Sequence, residues 1–455
     1  MVDARYIDQS GPVVPFQTIL STFKNLEAFT YEQPNVIPSK LITVTTETTV
    51  KYITLPKLTN LRLSLKAFDV DTADRILSFC PELRRLWLES ESTSSAIIDT
   101  IHRNCKKLES LVYNDIPVED LDLNYDENRV YGFQLEPFSE TTNSPAIPTD
   151  GTLQKVAVYA DDPVPVIGSL LVHYSTTIKV LRIKLPGDQY HTGEVDAFLS
   201  NNKSTNFTQL RSLFIHIKRD HSNNDSDEEK SEQDNWTIAS VLRSSPNLTD
   251  LRFCNSISFG SSVVDAIVNL RNLQQLVIVS KNVRFTPGIV ALMQRLASKP
   301  RDTIQLERLV LSRGSNQKLK MSEPDYLREY LPEEFEDESL PNHFFEIIQY
   351  IPSILSLTTI EFQSIDVFEK ELSTYNRNPE KFDDFFRALQ GHPSIETLKL
   401  IKISNISNSS LDHLAKVTTL KNLTLHGVIN SNYKGNGEHL LDTIPSLNIS
   451  YSPCL

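Results

Sequence analysis

Only four cysteines occur in this 455-residue chain, too few for a disulfide framework to organise it. No stretch approaches the ~18 continuous apolar residues of a membrane span, and no apolar N-terminal run carries a basic flank. Positive charge is also short: 45 Lys and Arg stand against 58 Asp and Glu, a formal net charge of −13. That balance argues against general affinity for nucleic acid or an anionic membrane surface. Catalytic signatures are missing too. "YKGNGEHL" (433–440) lacks the third glycine of a dinucleotide fingerprint, and no G-x-x-x-x-G-K-S/T occurs. The ten histidines are spread singly without zinc spacing, and His191 near Glu194 and His439 near Glu438 read as surface residues. Asn-x-Ser/Thr sequons, among them Asn202, Asn247 and Asn422, are the by-product of an Asn/Ser/Thr-rich chain. The expectation is a cytoplasmic or nuclear monomer with no active site, metal or cofactor.

What the chain does have is a repeated frame. "CPELRRLWLESE" (80–91) sets Leu83, Leu86 and Leu88 in the pattern L-x-x-L-x-L. The first leucines of successive frames stand at 58, 83 and 108, and the interval of 25 returns from Leu153 to Ile178, Leu248 to Leu273 and Ile395 to Leu420. Frames at Leu26, Leu210, Leu306, Leu357 and Leu447 bring the candidate units to fourteen. Each frame is short and alternating, as a half-buried strand is, and several are followed by helical spacing. "TADRILSFC" places Ile76, Leu77 and Cys80 on one side of a helix, with Asp71-Thr72 as candidate caps. "SSAIIDTIHRNC" does the same after Ser94-Ser95, as do "SSVVDAIVNL" and "TPGIVALMQRLA". Strand and helix alternating at this period predict an α/β solenoid. Strands stack about 4.8 Å apart and helices roughly 8–10 Å, so the helical side is the longer arc and the parallel sheet lines a concave face.

The pattern resembles the leucine-rich-repeat proteins of the ribonuclease-inhibitor-like type, over about Phe16 to Tyr451. It is most similar to the repeat region of F-box/leucine-rich-repeat proteins. "FCPELRRLWL" and "NCKKLESLVY" carry Cys80 and Cys105 three residues before the first leucine, as that repeat does. The resemblance implies a single horseshoe of about fourteen repeats over 1–455. It also implies a role in capturing a substrate for ubiquitin ligation. About fifteen residues precede the first unit, "FQTILSTFKNLEAFTY", too few for F-box helices. A scaffold or regulator unconnected with ubiquitin is the competing reading. A GTPase-activating protein would need longer repeats and an ordered Asn/Arg rim.

Four units are stretched between strand and helix, at about 114–150, 219–235, 312–339 and 363–380, which predicts loops along one rim. The second carries seven carboxylates against Arg219 and Lys230, and the third carries eight between 322 and 339 against Arg328 alone. Such runs are solvated insertions, or a lid across the concave face.

The outward positions carry the functional reading. Between the second and third leucines stand Arg62, Trp87, Val112, Ala157, Arg182, Phe214, Arg252, Val277, Val310, Lys399 and Thr424. Arg85, Lys184 and His216 flank them. Trp, Tyr and Arg concentrate interface energy, so Arg62, Arg85, Trp87, Arg182, Lys184, Phe214, His216 and Arg252 are the candidate partner-binding residues. An acidic or phosphorylated protein segment fits them. Pairing of these cations with neighbouring carboxylates is the structural alternative. Cys80 and Cys105 read as buried free thiols.

Overall fold

The computed structural model describes residues 2–3, 25–33, 55–65, 69–90, 96–114, 153–159, 163–186, 206–218, 238–254, 259–281, 287–314, 343–363, 380–401, 403, 406–426 and 448–452. The chain forms two compact units, Met1–Pro186 with Gly193–Leu210, and Gly187–Thr192 with Arg211–Leu455. The four expected rim insertions, apart from their end residues, lie outside the described residues, as does the Ser94-Ser95 cap.

In the first unit β1 (Val2–Asp3), β2 (Ala28–Gln33), β3 (Asn60–Leu65), β4 (Arg85–Ser90), β5 (Ser110–Asn114), β6 (Lys155–Tyr159) and β7 (Val180–Pro186) pair in sequence order, all parallel. The second unit repeats this with β8 (Ser212–Lys218), β9 (Asp250–Cys254), β10 (Gln275–Lys281), β11 (Arg308–Gly314), β12 (Thr359–Gln363), β13 (Thr397–Ile401), β14 (Asn422–His426) and β15 (Asn448–Ser452). Each of the fourteen leucine frames carries a strand; β1 precedes them and has no frame of its own. The chain is an α/β protein of leucine-rich-repeat type.

Register explains why the leucines recur. Leu61, Leu86 and Leu111 are partners across β3 to β5, and Leu251, Leu276 and Leu309 across β9 to β11. They form continuous rows, each no more than 1% exposed. A leucine out of step would expose its own side chain and open a cavity in the row. Helices cover this leucine side. In the first unit α1 (Val70–Ser78), α2 (Ala96–Asn104) and α3 (Pro163–Tyr174) stack in turn, burying Ile76 and Leu77, Ile97, Ile98 and Ile101, and Leu170 and Leu171. The second unit has α4 (Ser261–Val268), α5 (Pro287–Ala297), α6 (Phe344–Ile348), α7 (Glu380–Leu389) and α8 (Asn408–Leu414). Phe344, Phe362, Phe382 and Phe386 interlock there, Phe344 meeting Phe362 edge-on at 5.5 Å. The cap of α1 is Asp69, which accepts from Thr72 N at 2.7 Å; Asp71 sits inside the first turn, where its charge favours the helix dipole.

Two devices join one repeat to the next. The carbonyl after the first leucine accepts from two consecutive amides of the following repeat, as Thr59 O does from Arg84 N at 2.8 Å and Arg85 N at 2.9 Å. The same pair of bonds recurs at Arg84, Glu109, Gln154, Arg211, Thr249, Gln274, Glu307, Thr358 and Glu396. This column consumes backbone groups that the L-x-x-L bend would otherwise leave unpaired. Ion pairs 25 residues apart decorate it, Lys107 Nζ to Glu82 and Lys421 Nζ to Glu396, both at 2.6 Å. They are exposed and contribute little.

The cysteine position, three residues before the first leucine, is a buried turn in most repeats. Leu55, Cys80, Cys105, Ser175, Phe207, Ser245, Leu270, Ile354, His392 and Val417 occupy it. Its carbonyl accepts from the first leucine's amide, as in Leu83 N to Cys80 O at 3.2 Å. The position demands burial rather than a thiol. Both cysteines are buried and free, and desolvation pushes their thiols up to about 12, which suppresses thiolate chemistry.

His392 is the polar member of that column. Its Nε2 lies 3.1 Å from Ile354 O and its Nδ1 accepts from Ser394 N at 3.3 Å, so the ring is held neutral. Burial lowers its pKa, and the positive charge of Arg301 adds to that, against the opposing bond to Ile354. The unfolded chain therefore takes up a proton more readily than the folded one. Stability is full above about pH 6.5 and falls as pH drops through the window between that value and the lower folded-state one. The fall in melting temperature from pH 7.5 to 5.5 should shrink in His392→Gln; an unchanged fall would remove His392 from the account.

Candidate functional site

The strand face opposite the helices is the candidate site, and register lays its residues in rows. Thr30, Arg62, Trp87, Val112, Ala157 and Arg182 form one row across β2 to β7. Phe214, Arg252, Val277, Val310, Glu361, Lys399 and Thr424 form the corresponding row across β8 to β14. Of the candidate residues, Arg62, Arg85, Trp87 and Arg182 thus share the first unit's face, and Phe214 and Arg252 the second's. Lys184 and His216 take outward register positions on β7 and β8, opposite Tyr159 and Cys254; their side chains lie outside the described residues.

Arg62 and Trp87 are direct cross-strand partners. The guanidinium carbon of Arg62 lies 4.4 Å from the centroid of the Trp87 ring, a cation–π stack. Arg62 also reaches Glu89 at 3.6 Å, and Asn114 Nδ2 approaches the same carboxylate at 3.5 Å. Glu89 is only 4% exposed, so it needs a cation beside it. Trp87 Nε1 is buried with no hydrogen-bond acceptor among the described residues. In the second unit Arg252 Nε bonds both oxygens of Asp250, at 2.8 and 2.9 Å, while Ser212 Oγ donates to Oδ2 at 3.0 Å.

A polar cluster on the second unit's face gathers residues that the outward-position reading did not bring together. Glu361, 4% exposed, stands opposite Lys399 in register and receives Lys399 Nζ at 3.5 Å, Arg308 at 3.0 Å and Gln363 Nε2. Its frame, "SLTTIEF", placed an acid at the outward position all along, and aligning it with "SIETLKL" would have set Glu361 beside Lys399.

The described charges divide unequally between the two units. Among described side chains, the first unit's face carries Arg62, Arg85, Lys155 and Arg182 against Glu89 alone. The second unit's carries Arg252, Arg308 and Lys399 against Asp250 and Glu361, and all three cations are engaged. The basic character expected of the face is thus concentrated in the first unit.

Elsewhere, two histidines that stand far apart in the sequence meet on the helical side. His102 of α2 stacks on His173 of α3 with centroids 4.4 Å apart, and His173 Nε2 lies 2.8 Å from Asp99 Oδ1. Burial, with the charges of His173 and Lys106, lowers the pKa of His102 against the pull of Asp99. Stacked rings do not converge their lone pairs, and no group of three His, Cys, Asp or Glu among the described residues is placed to hold a metal. No helix among them is long and apolar enough to cross a membrane.

No family model and no curated protein sequence matches this chain. Among solved structures it is similar to the crystal structure of a Rad7 and Elc1 complex in yeast. That match has 12% identity and a TM-score of 0.34 over 86% of this chain and 80% of that one. It is also similar to a TLR13–ssRNA13 complex, at 13% identity and a TM-score of 0.34, covering 87% of this chain and 49% of that one.

Proposed function

We propose that this chain is a non-catalytic protein-recognition module whose outward sheet face binds an acidic or phosphorylated segment of a partner. One observation carries the reading: among the described side chains the first unit's face holds Arg62, Arg85, Lys155 and Arg182 beside one carboxylate, Glu89, in a chain of net charge −13. The stacked Arg62–Trp87 pair supplies the aromatic and guanidinium groups that dominate protein interfaces.

The test is capture of partners from lysate by three forms of the chain. Arg62 and Arg252 are left intact, because each neutralises a neighbouring carboxylate. Wild type and a helical-side control, Arg103→Ala, should retain one common set of proteins. Arg85→Glu, Lys155→Glu and Arg182→Glu together should lose it while keeping the wild-type melting temperature within a few degrees. The same set in all three forms would place binding off this face; a set dominated by nucleic acid would replace the protein-recognition reading. Two narrower roles follow the resemblance: substrate recognition for a ubiquitin ligase, or a scaffold unconnected with ubiquitin. A cullin-type ligase core in the captured set supports the first, and its consistent absence the second.

A further inference from the structure

The cations of the outward face are not equivalent. Arg62 serves Glu89, Arg252 serves Asp250, and Arg308 and Lys399 share Glu361. Lys155 and Arg182 have no ion-pair partner among the described residues. They sit on the adjacent strands β6 and β7, where Lys155 is opposite Val180 and Arg182 opposite Ala157. That offset of one strand and two residues puts their backbones roughly 8 Å apart, within reach of one small anion for two long side chains. Between them in register lies Ala157, a small side chain that is itself only 4% exposed. Tyr159, next outward on β6, completes the group. Burial raises its pKa while the Arg182 charge pulls the other way, so at neutral pH the phenol is a donor. Among the described side chains the one carboxylate on this unit's face is Glu89 of β4, two strands from Lys155 and three from Arg182, and it is already held by Arg62.

Resting on the recognition reading above, we infer that Lys155, Arg182 and Tyr159 form a subsite for the phosphoryl group of a phosphorylated side chain in an extended partner segment. Two positive charges with no ion-pair partner among the described residues match a group carrying about −1.5 to −2, whereas one carboxylate would neutralise only one of them. Arg gives the planar fork that phosphate oxygens accept bidentately, Lys a mobile point charge, and the phenol a neutral donor. Among the described side chains the second unit's face lacks this combination, since its Arg252, Arg308 and Lys399 are each paired.

The probe is a degenerate pool of fluorescent nine-residue peptides with phosphoserine at the centre and acidic residues enriched beside it. Matched pools carry serine or glutamate at that position. Binding by fluorescence anisotropy should favour the phosphoserine pool over either match by about tenfold or more. Lys155→Ala with Arg182→Ala should erase that preference, as Tyr159→Phe should in part, and Arg308→Ala should preserve it. Melting temperatures are read beside each titration, and a purely structural role would move those without changing the ratio between pools. Equal binding of the three pools, or a preference that survives the double substitution, would overturn the subsite. If binding is then still lost in Arg85→Glu, the face remains the recognition surface and only the phosphoryl assignment falls. If no face substitution alters capture of the natural partners, the broader reading falls with it.

Discussion

Leu86→Ala is expected to lower the unfolding free energy by about 3–4 kcal/mol, whereas Trp87→Ala beside it should cost only about 1 kcal/mol. Side-chain size alone would order them the other way. Leu86 is wholly buried between Leu61 and Leu111, in a row that backbone pairing prevents from closing over a void. Truncating it leaves a cavity as well as removing the transfer energy of the leucine. Trp87, one residue on, is half-buried on the opposite face, and its loss releases Arg62 to solvent and to Glu89. Because repeats stabilise chiefly their neighbours, the effect should appear in the unfolding transition that contains β3 to β5. Urea midpoints for the two variants test this. Equal losses, or a larger one for Trp87→Ala, would mean that the two sides of β4 are wrongly assigned.

The second large effect concerns Glu361. Arg308→Ala or Lys399→Ala alone should cost less than about 1 kcal/mol, since each cation is more than a third exposed and the other remains. Together they strand a carboxylate whose side chain is 6% exposed, beside Gln363 only. The double substitution should cost about 3 kcal/mol, well beyond the sum of the singles. Adding Glu361→Gln removes the stranded charge and should restore most of that loss. Additive singles, or no rescue by glutamine, would show that Glu361 is solvated and that the cluster does not hold β11 to β13 together.

Much of this architecture was legible because one physical demand repeats. A parallel ladder needs apolar residues at fixed steps, so the leucine frames announced fourteen strands and, by alternation, which residues face away from the helices. The departures have local causes. Asp69 caps α1 in place of Asp71 because its backbone is extended while Asp71 is already helical. β1 is a two-residue edge pairing with Phe29 and Thr30, and edge pairing by backbone alone leaves no side-chain signature. Reading Cys80 and Cys105 as a family mark overstated them, since leucine, serine, histidine and valine fill the same buried turn elsewhere. Least legible was the charge balance of the candidate face. Whether an arginine is free or engaged depends on partners such as Glu361, 53 residues from Arg308, which only register brings together.

Cysteine accessibility along β4 tests the central claim most directly. In a chain with Cys254→Ser and Cys454→Ser, buried Cys80 and Cys105 give a low background under native conditions. Single cysteines at positions 85, 86, 87 and 88 are then labelled with a small maleimide. Rates at 85 and 87 should exceed those at 86 and 88 by at least a hundredfold. A flat profile, or fast labelling at 86 and 88 with protection at 85 and 87, would contradict a sheet that hides its leucines and offers its arginines and tryptophan to a partner.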